Sequence, residues 1–373
     1  MAILPVSPGI SSERSSSSSN DDALDEEKVQ KENFRWHRSG RASKTGEWVT
    51  IFVLIVVLIM SAMVFVTSDW LHRRSIHVPD NNNTLCRKNL RRNWVELSVD
   101  EKHQYIDAVS CLRRKPSRFN STNMSLYDDF PRIHARVGSY AHQSAPFFAW
   151  HRYLIHLYEK TLREECEYEG NLVYWDWTQD WEKPSASVIW DGEDGFGRSF
   201  PQTPSHDTFS VGGDRCVANG QFAGLQVHSF GPVDESHCLS RGFWDRVDFD
   251  VLGKFLDPER VSKILMLDDY EAFLLALESS AHNAIPQGVG GDFAFHAAPY
   301  DPVFFLHHTQ VDRLWWTWQQ RHPNKKYEYN GANSRGSSIP ATLDDVLVTG
   351  GFADDVKVRE VMSTDGPMMC YGY

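Results

Sequence analysis

One short segment of the chain, HARVGSYAHQSAPFFAWHRYLIHLYE, contains four histidines: His134, His142, His151 and His156. His142 and His151 are nine residues apart, about 180° around an α-helix, so one straight helix cannot direct both toward one ion. Pro146 lies between them and fits the first turn of a helix that Ser144 or Ala145 would cap. His142 then precedes this helix, His151 lies within it, and the two side chains can converge.

The helix that carries His151 has an apolar side that would bury it and hold the histidine in place. That side consists of Leu154, Ile155, Tyr158 and Leu162. His156 points away from His151 and is interpreted as a structural residue.

Apolar residues recur at helical spacing in four segments, which are Leu97–Leu112, His151–Leu162, Tyr270–Glu278 and Phe304–Gln320. Glycine and proline interrupt residues 184–240, which predicts one long loop-rich insertion. Four helices that flank one site form a bundle pattern. We therefore expect a mainly α fold with a four-helix-bundle core and long loop-rich insertions.

The first 85 residues have a different composition. Residues 1–47 combine a serine run with an acidic cluster and few apolar side chains, which predicts a disordered tail. Residues 48–67 carry no charge and are about as long as a membrane-crossing helix, so we predict a transmembrane signal anchor there. A cleaved signal peptide, the alternative, would lie nearer the N-terminus. A stalk over 68–85 would then lead into a domain over 86–373.

Flanking charge predicts the orientation of this anchor. More lysine and arginine precede the span than follow it, which places residues 1–47 in the cytosol. Three glycosylation sequons follow the span, at Asn82, Asn120 and Asn123, as do all six cysteines. We therefore expect a single-pass type II membrane protein with its domain in the secretory lumen or outside the cell, where disulfides persist. The net charge of −12 argues against a nucleic-acid partner.

The first histidine set is part of a longer motif. His142, Phe147, Trp150, His151 and Glu159 follow the pattern H-x4-F-F-x-W-H-R-x2-I-x3-E. This pattern resembles the copper-A motif of tyrosinases, catechol oxidases and molluscan haemocyanins, the type-3 copper proteins. His134 matches the family's first copper-A histidine, and imidazole ligands suit copper. The alternative is a group of hydrogen-bonded core histidines in an aromatic helix.

The segment YDPVFFLHHTQVDRLWW resembles the copper-B signature D-P-x-F-x3-H-x3-D of the same family. The resemblance identifies His308 as a copper ligand. Adjacent helical residues differ by 100° in direction, so His307 is interpreted as a packed or hydrogen-bonded neighbour. Asp312 lies one turn beyond His308, where its carboxylate could orient a ligand or pair near Arg313.

Copper B departs from the family at one position. The family has H-N-x-x-H, whereas this chain has His282 followed by Pro286 in place of the second histidine. Proline cannot bind copper and tends to end a helix. The missing ligand could be His296, which we favour, or the carboxylate of Glu278. Alternatively, copper B is weak or absent, and His228 and His237 remain unassigned histidines of the insertion.

The resemblance implies two copper ions in a dicopper core, dioxygen as oxidant and a phenol or catechol as substrate, hydroxylated at the ortho position or oxidised to the o-quinone. Glu278 and Asn283 resemble the family pair that holds a water beside copper, which makes this water the candidate base. The alternative functions are a non-catalytic binding protein with an incomplete copper B site and an oxygen carrier.

The resemblance covers Cys86 to Tyr373, and the terminal Tyr-x-Tyr resembles the element that closes the family's central domain. It leaves no room for a C-terminal lid domain, so no proteolytic activation is expected. A short anchored chain is also similar to fungal tyrosinase-like proteins associated with modified peptides such as ustiloxin and phomopsin. By analogy, a peptide tyrosine or phenylalanine ring is a candidate substrate.

Overall fold

The computed structural model describes residues 88–119, 121, 123–199, 215–228, 236–243, 248–294, 296–366 and 368–373, together with Val56 and Met60. The predicted tail, membrane span and stalk lie outside the described residues, apart from the exposed, helical Val56 and Met60. None of the helices in the described ranges is both long enough and apolar enough to cross a membrane. Asn83–Tyr373 forms one compact unit, whose fold is given below.

Helices dominate this unit, which confirms the predicted mainly α fold. In chain order they are α1 Val99–Leu112, α2 Asp129–Arg136, α3 Pro146–Cys166, α4 Phe249–Leu252, α5 Pro258–Ile264, α6 Tyr270–Leu277, α7 Asn283–Val289, α8 Val303–Arg321 and α9 Val358–Val361. A π-helical turn, Glu278–His282, joins α6 to α7.

Local sequence signals mark the starts of α1 and α3. Ser98 and Glu101 form a reciprocal capping box at the start of α1. Pro146 occupies the first turn of α3 as predicted, and Ala145 is the N-cap residue. Ser144 is not the N-cap residue, and its hydroxyl donates to the carbonyl of Tyr140.

The strands are short, with two or three residues each. They are β1 Asn89–Leu90, β2 Arg92–Asn93, β3 Val173–Tyr174, β4 Gln226–His228, β5 Ser236–Cys238, β6 Val346–Leu347, β7 Val356–Lys357 and β8 Tyr371–Gly372. The pairs β1–β8 and β2–β3 are parallel, and β4–β5 and β6–β7 are antiparallel. The β1–β8 pair joins the beginning of the unit to its end.

Disulfides secure the helical core and the insertion. Cys111–Cys166 links the last turns of α1 and α3, with Cα atoms 5.9 Å apart. Cys216–Cys238 closes the insertion beside the β4–β5 pair, with Cα atoms 5.5 Å apart. Cys370 is also disulfide-bonded.

Stacked aromatic rings fill the space between the helices. Phe148 of α3 stacks on Phe273 of α6 and on Trp315 of α8, at centroid distances of 5.1 and 5.4 Å. Tyr158 of α3 stacks on Phe305 of α8 at 3.5 Å. Because buried aromatic rings contribute large contact areas, these stacks hold α3 against both α6 and α8.

A buried carboxylate joins α3, α8 and the chain end. Asp312 Oδ1 accepts a hydrogen bond from Arg152 Nε at 2.5 Å, and Oδ2 accepts from the hydroxyls of Tyr371 and Tyr373 at 2.6 and 2.5 Å. Arg91 Nη1 lies 3.2 Å from the same Oδ2. Asp312 therefore contacts arginines and tyrosines rather than a histidine. Tyr371 and Tyr373 are thereby tied to α8.

Opposite charge keeps Asp312 ionised in this buried position. Burial by itself would raise the pKa of the carboxyl, but Arg152 and Arg91 outweigh it and the pKa is lowered. Arg152 is fully buried, stacks on Trp315 at 3.6 Å, and donates to the carbonyls of Val361 and Met362. One arginine thus connects three separate elements.

Replacing Asp312 by Asn should lower the free energy of unfolding by about 3–5 kcal/mol, because the buried guanidinium of Arg152 loses its counter-charge. Denaturant unfolding of the wild type and the variant measures the difference. Lys263→Ala, which removes an exposed pair with Glu259, is the control and should leave the midpoint unchanged. A D312N midpoint equal to that of the control would contradict the structural role of the carboxylate.

Candidate metal centre

Three histidine rings meet at one point between α2 and α3. His134 Nε2 lies 3.5 Å from His142 Nε2 and 3.4 Å from His151 Nε2. His134 is on α2, His142 follows a turn of 3-10 helix, and His151 is on α3. The structure thus brings together the three residues that the sequence assigned to copper A, from three different elements.

Each of these rings has an oxygen acceptor behind it. His134 Nδ1 faces the carbonyl of His296 at 2.5 Å, and His151 Nδ1 faces the carbonyl of Phe147 at 2.7 Å. His142 Nδ1 faces Glu278 Oε1 at 3.0 Å. Because an oxygen acceptor requires a proton on Nδ1, each Nε2 is left with a free lone pair. Three such lone pairs that converge suit a metal cation.

Glu278 holds the loop that carries His142. Its second oxygen accepts a hydrogen bond from the backbone N–H of Gln143 at 2.8 Å. Gln143 has a left-handed backbone with φ of 56°, a conformation that non-glycine residues seldom adopt and that occurs more often at functional sites. Glu278 therefore binds both the His142 side chain and the strained residue next to it.

A second histidine cluster lies next to the first. His282, His307 and His308 each offer a ring nitrogen within 4.8 Å of the other two. Their ring centroids are 5.0 to 5.1 Å apart. His282 Nδ1 faces Asn283 Oδ1 at 2.9 Å, which fixes the orientation of its ring. The sequence analysis interpreted His307 as a packed or hydrogen-bonded neighbour of His308 and did not place it in a cluster of possible metal ligands.

The chain adapts to Pro286 without ending the helix. Pro286 lies inside α7, so the expected helix stop does not occur. Proline has no N–H to donate to the carbonyl of His282, four residues earlier, and its ring crowds that carbonyl. The π-helical turn that ends at His282 widens the helix just before this point. His282 thereby remains in the cluster although a proline follows on the same helix.

The two clusters face each other beneath one cavity. The rings of His151 and His308 stack in parallel at 4.2 Å, and His142 and His282 are 6.0 Å apart. A cavity of about 290 Å³ opens beside them. Five of the six histidines line it, all but His151, and its other walls are formed by Gln143, Glu278, Asn283, Pro286, Phe293, Ala294, His296, Ala298, Phe304 and Arg335.

Residues 124–321 match the model of a protein family described as the common central domain of tyrosinase. This range includes both histidine clusters. The chain belongs to the tyrosinase family. The resemblance found in the copper motifs is confirmed.

Similar tyrosinase-family proteins occur in fungi. Tyrosinase ustQ of Aspergillus flavus is 42% identical over 286 residues, which cover 76% of this chain and 79% of the relative. Tyrosinase-like protein phomQ1' of Diaporthe leptostromiformis is 41% identical over 303 residues, with the same two coverages. The structure of a polyphenol oxidase variant from Thermothelomyces thermophila aligns with a TM-score of 0.65 and 29% identity, covering 77% of this chain and 88% of that one.

Copper is the metal expected for a tyrosinase, and the donor set fits it. Both clusters consist of imidazoles, which are suitable copper ligands. Burial lowers the pKa of His134 to about 3 and of His282 to about 4. Burial likewise lowers the pKa of His151, His307 and His308 well below the usual range. The five rings are therefore neutral at pH 7, as metal ligation requires.

The remaining predicted residues lie outside both clusters. His296 is exposed at the cavity wall, and its carbonyl rather than its ring contacts His134. His237 is buried and bound to Asp292 Oδ1 at 2.6 Å, whereas His228 lies on β4. Asn123 is exposed. The sequons at Asn82 and Asn120 lie outside the described residues.

Sequence reasoning missed the position of His307. The motif supplied one ligand, His308, and helix geometry excluded its neighbour. The signal that could have found it was the combination of a missing ligand at Pro286 and a second histidine next to a known one. A histidine side chain has two rotatable bonds, so the rings of adjacent histidines can approach one point even though their Cα–Cβ bonds diverge.

Proposed function

We propose that this chain is a copper-dependent oxidase or monooxygenase that acts on a phenol or catechol ring. The observation that carries the proposal is the pair of facing histidine clusters beneath one cavity. A copper ion that is held by imidazoles and keeps one coordination position open would supply the redox chemistry that a reaction with dioxygen requires. The protein residues hold the metal, orient the ring and move protons.

The cavity suits a single aromatic ring. Its volume of about 290 Å³ lies at the lower limit for small-molecule sites. Pro286, Phe293 and Phe304 provide apolar walls against which a ring can pack. The phenol oxygen would then face the histidine clusters, which line the same cavity.

Glu278 and Asn283 are the proposed proton-handling residues. Both line the cavity, and each also holds a histidine, His142 and His282 respectively. A carboxylate whose hydrogen bonds leave lone pairs free can accept the phenol proton through a water molecule. Glu278 thus combines the positioning of His142 with the role of base that the resemblance implies.

Copper content and oxygen uptake test the proposal on the full-length chain. We expect two copper ions per chain and oxygen consumption with a catechol. His151→Ala should bind one copper ion and reduce oxygen consumption to background, because His151 is one of the three ligands of a single copper ion. His156→Ala, on the same helix but outside both clusters, is the control and should retain both.

Two outcomes would contradict this function. Fewer than two copper ions per wild-type chain would favour a non-catalytic binding protein. Two copper ions without turnover of phenols or catechols would favour a carrier.

Arg335 suggests a preference for anionic substrates. It is exposed, lines the cavity and forms no ion pair with the residues that the structure describes. A free guanidinium attracts carboxylate groups. Arg335→Gln should lower kcat/KM for 3-(3,4-dihydroxyphenyl)propionate by roughly 2- to 5-fold, the range of an exposed charge pair. The methyl ester of this acid is the matched substrate control, and its kcat/KM should be unaffected. Arg335→Lys should retain the preference for the acid. Equal losses of kcat/KM for the acid and the ester would contradict a role of Arg335 in binding anionic substrates.

We also propose that the domain lies in the secretory lumen or outside the cell, attached through a type II anchor over 48–67. The uncharged segment, the flanking charges and the disulfide-bonded cysteines support this location. The biological role that we propose is a step in the synthesis of a modified peptide, with a tyrosine or phenylalanine ring of the peptide as the substrate.

Glycosidase digestion and protease protection test the location. In microsomes, the domain should resist external protease and lose mass on treatment with N-glycosidase, while an N-terminal tag is digested. Replacing Asn123 by Gln should reduce the mass shift if this exposed sequon is used. A domain that is digested together with the tag would place it in the cytosol.

A further inference from the structure

Copper B lacks one histidine of the family pattern, because Pro286 stands where the second ligand is expected. We propose that His307 is the third imidazole ligand of copper B, together with His282 and His308. The assignment rests on the proposed copper function of this site. It makes both metal sites complete with three histidines each.

The geometry of the cluster carries this assignment. The ring centroids of His282, His307 and His308 form a nearly equilateral triangle with sides of 5.0, 5.0 and 5.1 Å. His307 also lines the same cavity as Pro286. Its ring therefore lies within reach of the position where a metal would bind His282 and His308.

Both nitrogens of His307 need a partner that the protein does not provide. The side chain is fully buried, and neither Nδ1 nor Nε2 has a hydrogen-bond partner among the described residues. Its ring neighbours are Phe293 and Trp177, at 6.1 and 6.5 Å, in addition to the two histidines. Buried polar atoms without partners are destabilising and rare, so this ring requires an explanation. A metal ion satisfies one nitrogen directly.

The two other candidates for the third copper B ligand, His296 and Glu278, are engaged elsewhere. The exposed His296 ring belongs to neither cluster, and its backbone carbonyl serves His134. Both oxygens of Glu278 are bonded, one to His142 and one to the N–H of Gln143. His307 is the candidate whose ring nitrogens are both buried and unengaged.

Copper content of full-length variants tests the assignment without measuring turnover. The wild type should bind two copper ions per chain, and His307→Gln should bind one. The electron paramagnetic resonance signal should change from the silent, coupled cupric pair to one isolated Cu(II). His296→Ala is the matched control and should retain two ions, because alanine keeps the carbonyl that His134 uses.

A second substitution tests whether His307 replaces the missing residue. Adding Pro286→His to His307→Gln should restore the second copper ion and the silent spectrum. Circular dichroism and the retained copper A ion verify that each variant folds. If His307→Gln does not fold, His307→Phe takes its place, because phenylalanine fills the same volume without offering a ligand.

Two copper ions in H307Q, or loss of copper B in H296A alone, would overturn the assignment and leave the oxidase function intact. Fewer than two ions in the wild type would instead overturn the proposed function itself.

Discussion

The buried pair of Asp312 and Arg152 joins α3 to α8, the helices that carry His151 and His308. Arg152 follows His151 directly on α3, and Asp312 lies one helical turn after His308 on α8. Separating the two helices would leave each charge buried without its partner, which is strongly unfavourable, so the pair ties α3 to α8. Next to this pair, the rings of His151 and His308 stack in parallel at 4.2 Å.

The same carboxylate couples the metal centre to the end of the chain. Tyr371 and Tyr373 donate to Asp312, and Arg91 stacks on the Tyr371 ring at 3.5 Å. Arg91 in turn pairs with Glu159 of α3 at 2.7 Å. The β1–β8 pair lies beside this network, so the first and last strands and the two ligand helices form one charged, hydrogen-bonded core. Such a core, without solvent, favours one arrangement of its parts.

The second histidine cluster departs from the family pattern at one position, while the residues around that position keep their places. The family position is proline here, yet Asn283 still orients His282, and Glu278 still lies one turn earlier. The π-helical turn accommodates the proline in the chain, and α8 brings a second histidine to the cluster. If His307 binds copper, the third ligand of this site comes from α8 rather than from α7. The wall where the missing imidazole would stand is instead apolar, which changes the shape of the cavity presented to a ring.

Much of this protein could be predicted from sequence because its signals are local. Helix periods, the proline at the start of α3, and the motif positions of His134, His142, His151, His282 and His308 depend on residues close together in the chain, and the structure places them as helices and clusters. Three features depended on tertiary structure: the cluster position of His307, the use of the His296 carbonyl rather than its ring, and the partners of Asp312. Each is decided by contacts between residues far apart in sequence, such as the 160-residue separation of Arg152 and Asp312. A motif records which side chains are available, whereas the packing of helices decides which of them meet, because side-chain direction and burial are set by neighbours that the local sequence does not contain.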